Sequence, residues 1–158
     1  MTYDKKYEMT ANTKIINGRK LFQIKAVVDF SNVKAGDLGG YIEKEENLSQ
    51  YDNAWVYDNA CVYGYARVSG DARVCRDAQI FSNADYIYFK GFGSENRYTS
   101  MFRTKNRDVY VRCGCFTGSL KAFTDKVKET HGSGKYAKEY LACAEVAKIH
   151  FEIGEEKE

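Results

Sequence analysis

The residues able to do chemistry are few and sit late in the chain. Cys113, Cys115, Cys143, His131 and His150 form the only set of metal-ligand type. Alternate residues of a strand share a face, so Cys113 and Cys115 can point at one ion, but common zinc sites place a turn of two or more residues between paired cysteines. Reduced cysteine is also an ordinary core residue. The expectation is therefore no metal, no cofactor and structural roles for these side chains. His131 stands just before Gly132, where a helix C-terminus favours a cation.

A second set is basic. Arg97, Arg103, Lys105, Arg107 and Arg112 alternate with Tyr98, Phe102 and Tyr110, and residues 97–148 hold eleven Lys/Arg against five Asp/Glu. Cations and aromatics on a small sheet can meet phosphates and stack bases. The same residues could contact an acidic protein or a small anionic ligand, and as a simple hairpin they would be a solvated cationic face over buried rings. Gly91-Phe92-Gly93 is too short for a phosphate loop, which needs a longer glycine pattern opening a helix.

These residues must be carried by a small α+β module. Tyr98–Arg103 and Val109–Cys115 read as a hairpin turning through 104–108, with Val109, Val111, Cys113 and Cys115 on one face. Ser119 is an N-cap for a helix in which Leu120, Phe123 and Val127 share a stripe, and Gly132-Ser133-Gly134 ends it. A second helix, about 135–152, has Tyr136, Tyr140, Ala144, Ala147 and Phe151 as its apolar stripe. At the other end of the chain, Asn17-Gly18 between Lys14-Ile15-Ile16 and a strand alternating Phe22, Ile24 and Ala26 is a strong signal for a tight hairpin.

Between the two lies a repeat with a period of six. Asn47-Leu48, Asn53-Ala54, Asn59-Ala60, Tyr65-Ala66, Asp71-Ala72, Asp77-Ala78 and Asn83-Ala84 recur, with Val56, Val62, Val68, Val74 and Ile80 two places after an alanine. Six is a multiple of the strand period, so alanines and aliphatics share one face and Trp55, Tyr57, Cys61, Tyr63, Arg67 and Arg73 the other. Written from the aliphatic residue, Val-Ser-Gly-Asp-Ala-Arg (68–73) resembles the hexapeptide repeat of left-handed parallel β-helices. That family stacks residues 18 apart, one strand spacing of roughly 4.8 Å. The resemblance implies Val56 on Val74, Val62 on Ile80, Trp55 on Arg73, Tyr63 on Phe81 and Arg67 on Asp85.

The flanks sharpen the resemblance. Asp29-Phe30, then Val33-Lys34-Ala35-Gly36-Asp37-Leu38-Gly39-Gly40-Tyr41-Ile42 through Glu46-Asn47-Leu48-Ser49, is similar to the entry of bacterial hexapeptide-repeat proteins. With Cys113-Gly114-Cys115-Phe116 and Val127-Lys128-Glu129-Thr130-His131-Gly132 it resembles a group of phage and prophage proteins, for which no activity carries over residue by residue. The implied fold is mainly β: an N-terminal hairpin cap (1–40), a short left-handed parallel β-helix (41–89) and a C-terminal α+β module of a hairpin and two helices (90–158). Hexapeptide acyltransferases place a histidine within the coils, and β-helical carbonic anhydrases bind zinc through three histidines. Here both histidines follow the repeat.

Composition bounds the rest. The 158 residues carry a net charge of +2, no proline and five cysteines, an odd number without framework spacing. No apolar run could cross a membrane and no signal-type segment opens the chain, so the expected place is the bacterial host cytosol, without disulfides. The functional expectation is a non-enzymatic binding protein acting on a host factor, such as a defence component or its nucleotide signal. Nucleic-acid binding through the basic hairpin is the alternative, and an acyltransferase the third. Outward Trp55, Tyr57, Tyr63, Arg73 and Phe81 suggest self-association as a trimer, with a dimer second.

Overall fold

The computed structural model describes residues 5–93 and 97–153. The protein is mainly β with two helices at its C-terminal end, and its sheets are open. Strands β1 (Tyr7–Ile16) and β2 (Arg19–Ala26) form the expected hairpin. Its turn needs positive φ twice, and Asn17 (48°) and Gly18 (77°) supply it. The alternation read along β2 does not hold: Leu21, Ile24 and Ala26 are buried while Phe22 is only half-buried. The pairing of β2 with β3 (Leu38–Ile42) shifts between Gln23 and Lys25, which moves the buried face by one residue.

The hairpin is more than a cap. β2 pairs antiparallel with β3, which pairs in parallel with β5 (Cys61–Val62) and through it with β7 (Gln79–Ile80), giving the order β1-β2-β3-β5-β7. A second parallel ladder joins β4 (Trp55–Val56) to β6 (Arg73–Val74), and a third contact bridges Leu48 and Val68.

Within the repeat the register is the expected 18 residues, with Trp55 opposite Arg73, Val56 opposite Val74, Cys61 opposite Gln79 and Val62 opposite Ile80. At the entry it is 20: Ile42 faces Val62 and Leu48 faces Val68. Leu48 thus occupies an aliphatic position, not the alanine position that the six-residue reading assigned it, and the step from Leu48 to Val56 spans eight residues. The interior is closed to solvent. Val56, Val62, Val68, Val74, Ile80, Ala54, Ala60, Ala72 and Ala78 are fully buried.

The corners keep time as well. Asp58, Gly64, Gly70 and Arg76 all have positive φ, between 54° and 70°, at six-residue intervals. Asp52 and Asp58 each accept the amide N–H of the residue 18 further on, Gly70 at 2.6 Å and Arg76 at 3.0 Å. At Gly64 the ring of Phe81 fills the space a side chain would take, 2.4 Å from an added Cβ.

Both ends of the repeat are closed. Tyr7, Ile24, Ala26 and Val33 cover one end, and Phe102 of β9 (Arg97–Arg103) enters the same core at the other. β9 lies in an antiparallel sheet of order β11-β10-β9-β8, with β8 (Tyr86–Phe92), β10 (Val109–Cys113) and β11 (Phe116–Ser119). The expected hairpin is therefore the centre of four strands. Residues 86–92 continue as a strand, because Tyr86 to Lys90 pair with Phe102 to Tyr98, and Gly114 (φ 58°) turns the chain back into β11. That turn also separates Cys115, which is exposed, from the buried face of Val109, Val111 and Cys113.

That buried face and Met101 pack against α1 (Leu120–His131) and α2 (Lys135–His150). Ser119 accepts the Ala122 N–H, and Gly132 (φ 62°) ends α1, as expected. In α2 the stripe is Ala137, Tyr140, Cys143, Ala144 and Ala147, and Tyr136 faces outward. Among the described residues no helix is long and apolar enough to cross a membrane.

Candidate binding groove

The two faces of the four-stranded sheet have different tasks. Alternation sends Met101, Val111 and Cys113 to the helices, and Phe102, Tyr110 and Arg112 to the repeat. Where the second face meets the β4–β6 ladder, an open groove of about 1070 Å³ forms. Its walls come from three separate stretches: Asn32 before the repeat, Arg73, Cys75 and Arg76 within it, and Tyr110, Arg112 and Thr117 beyond it.

Three guanidiniums converge there. Arg73 donates from Nη2 to Ser31 Oγ at 2.7 Å, and Arg76 donates from Nη2 to Thr117 Oγ1 at 2.9 Å. Arg112 sits over the ring of Tyr57, 4.4 Å from its centroid, and Tyr57 in turn donates to Asn32 Oδ1 at 3.0 Å. All three partners are neutral, and among the described residues none of the three arginines is ion-paired with a carboxylate. Each is held in place by a hydroxyl or a ring with its charge unspent.

Burial pushes the Tyr57 phenol and the Cys75 thiol above their ordinary values, although Arg73 and Arg112 act against it at Tyr57, and Arg112 and Arg76 at Cys75. Cys75 is therefore a thiol at neutral pH rather than a nucleophilic thiolate. Asp58, Asp77 and Asp108 also line the groove. Asp58 accepts the Arg76 N–H, and Asp77 lies 3.9 Å from Lys105 Nζ.

The basic residues singled out in the sequence do not share one surface. Arg103 turns to the helix side, donating to the carbonyls of Phe151 and Arg107. Arg107 pairs with Asp85 and Lys105 with Asp77, and of the four whose side chains are described only Arg112 enters the groove. The side chain of Arg97 lies outside the described residues. The expected stack of Arg67 on Asp85 is replaced by the Arg107–Asp85 pair, because the 104–108 turn swings onto the end of the repeat.

All five side chains expected at a self-association face make contacts within the chain, and two of them are buried. Trp55 is closed off by Tyr7 and Phe30, with ring centroids 6.1 and 5.2 Å away. Tyr63 is buried with Leu21 and Cys61 because the hairpin folds back over them, and Asn17 donates to its hydroxyl. Tyr57 and Arg73 belong to the groove. Phe81 stacks near Tyr63, at 5.5 Å, and stays partly exposed beside Tyr65.

Of the cysteine and histidine set, Cys113 and Cys143 share the helix-side core, and the set does not converge on one site. Cys113 accepts from Thr99 Oγ1 in the helix-side core, His131 stacks on Tyr140, and His150 Nε2 lies 2.8 Å from the Tyr86 carbonyl. Among the described residues no three of His, Cys, Asp and Glu are grouped as metal ligands. Sequence reasoning missed Arg76, Asn32 and Thr117. Arg76 carried a signal, since it falls on the six-residue corner series that includes Gly64 and Gly70. Asn32 and Thr117 carried none, because they reach the groove only through tertiary folding. No family model matches the chain, and no curated protein aligns with it.

Proposed function

We propose that this chain is a non-catalytic binding protein of the phage or prophage type its flanking segments resemble, built on a short left-handed parallel β-helix, and that it captures a host factor in the groove. The 18-residue ladders, the alanine and valine interior and the corner series support the β-helix. The single observation that carries the binding reading is the convergence of Arg73, Arg76 and Arg112, free of carboxylate partners among the described residues, on one open groove. Preorganised charge with spare hydrogen-bonding capacity is what an anionic ligand requires. Neither histidine lines this groove, and of the two cysteines in its lining Cys75 is buried and held as a thiol while Cys115 is exposed with no histidine beside it in the lining, which favours binding over acyl transfer.

The test uses the whole chain, immobilised and exposed to bacterial lysate, with retained proteins and small molecules identified by mass spectrometry. Wild type retains a component that an Arg73→Gln/Arg112→Gln double variant of confirmed fold does not, and exposed Arg76→Gln weakens the same retention. Retention of nothing, or equal retention by all three, overturns the reading. Self-association belongs to this proposal only through Phe81 and Tyr65. A mass near 18.0 kDa by light scattering would remove it without touching the groove.

A further inference from the structure

Resting on the reading of the groove as the binding site, we infer that its ligand is a phosphorylated small molecule that also carries hydroxyl or amino donors, of the chemical class of a mononucleotide, and not a nucleic-acid strand. The groove lining carries two kinds of charged group. Arg73, Arg76 and Arg112 present guanidinium N–H groups whose planar fork matches phosphate oxygens. Their orientation is set before any ligand arrives, by Ser31, by Thr117 and by the Tyr57 ring. A dianion there replaces no existing ion pair, so little is lost on binding.

Acidic groups are interleaved with the arginines: Asp58 accepts the Arg76 N–H, and Asp77 follows Arg76 in the chain and lies 3.9 Å from Lys105 Nζ. Asp58, Asp77 and Asp108 line the same groove, and a carboxylate accepts but cannot donate. They suit the hydroxyls of a sugar or the amino group of a base. They also repel further phosphates, so a strand carrying one charge per nucleotide would meet like charges within the groove. Tyr110 adds a ring face to the lining, held by Phe102 at 6.4 Å between centroids. At about 1070 Å³ the space suits one nucleotide-sized ligand with water.

Calorimetry on the full chain with AMP, ADP, adenosine, glucose 6-phosphate, inorganic pyrophosphate and a dodecamer of thymidylate tests this. AMP or ADP binds at least about tenfold more tightly than adenosine, and more tightly than the dodecamer expressed per molecule. Arg76→Gln weakens the nucleotide about tenfold or more, as expected for one charge-assisted hydrogen bond. Asp108→Asn weakens the nucleotide but leaves pyrophosphate unchanged or tighter. Glucose 6-phosphate matching AMP would keep the phosphate and replace the base by a sugar as the donor. Adenosine binding as well as AMP, or the dodecamer binding best, overturns the ligand class. Silence from every probe overturns it too, while groove-dependent retention from lysate would leave the binding reading standing.

Discussion

Arg112 and Tyr57, 55 positions apart in sequence, lie with the guanidinium carbon 4.4 Å from the ring centroid, and this pair ties the C-terminal sheet to the side of the repeat. The contact is half-buried, where a cation–π pair contributes about 1 kcal/mol. Arg112→Ala should lower the thermal midpoint by a few degrees, about 2–4 °C for a chain of this size. Arg112→Lys should recover part of it, since the charge remains and the stacking plane is lost. Equal midpoints for Arg112→Ala and wild type in a thermal melt would show that the pair does not hold the two parts together.

Gly64 and Gly36 make an internal control for the corner geometry. Both have positive φ, 63° and 96°, so alanine at either is strained by about 1 kcal/mol. Only at Gly64 would the new Cβ meet a ring and a carbonyl, Phe81 at 2.4 and 2.9 Å, while Gly36 has nothing within 4 Å. Gly64→Ala should therefore cost at least about 2 kcal/mol more than Gly36→Ala in urea unfolding, because overpacking adds to the backbone strain. Similar costs for the two would mean that the Phe81 ring does not seat on Gly64.

The parts of this structure that could be read from the chain are those set by local periodicity. Val56, Val62, Val68, Val74 and Ile80 are all inside, because a two-residue strand period fixes which residues share the buried face, and the six-residue repeat sets Val56 on Val74 and Val62 on Ile80 at a register of 18. Asn17-Gly18, Ser119 and Gly132 set their turn and caps for the same local reason. The eight-residue step from Leu48 to Val56 was hidden, since Asn47-Leu48 imitates the Asn-Ala of later units. Trp55 and Tyr63 looked outward and are buried, because strand alternation tells which face a residue is on and not what folds over that face. The groove was least legible of all: its three arginines gain meaning only from Ser31, Thr117 and Tyr57, which no spacing connects to them.

Alkaline pH should expose the buried thiols. Burial pushes Cys143 from 9.0 up to about 11, and Cys61 and Cys75 also upward. An acid whose folded pKa is raised stabilises the fold below its unfolded value and loses that contribution as pH climbs through the folded one. Stability should fall between about pH 9 and 11, less steeply in Cys143→Ala. Lys6 acts in the opposite sense. Burial lowers it from 10.5 to about 8 although Asp52 pulls it up, so its share of stability grows from pH 8 to 10.5. Lys6→Met should steepen the alkaline loss in that window, as read from urea midpoints at several pH values.

Asp85 and Arg107 carry the last test, that of how the C-terminal turn is fixed to the end of the repeat. Asp85 is buried, and its Oδ2 accepts the N–H groups of Phe81 and Ser82 while Oδ1 takes the Arg107 guanidinium. Arg107 also donates to the Gln79 carbonyl, and its own φ of 66° marks a strained turn that the contact holds. Removing the arginine leaves a buried carboxylate with two backbone donors and no countercharge. Because those donors remain, the loss should be smaller than for a bare buried ion: about 1–2 kcal/mol for Arg107→Ala, below the 3–5 kcal/mol of a fully buried pair. Asp85→Asn in the Arg107→Ala background should recover about half of it, since an amide oxygen in the place of Oδ2 still accepts from the Phe81 and Ser82 N–H groups, more weakly than a carboxylate, and the unpaired charge is gone. A double-mutant cycle in urea with coupling near zero would show that the 104–108 turn is held instead by its backbone bond from Lys105 N–H to the Asp77 carbonyl.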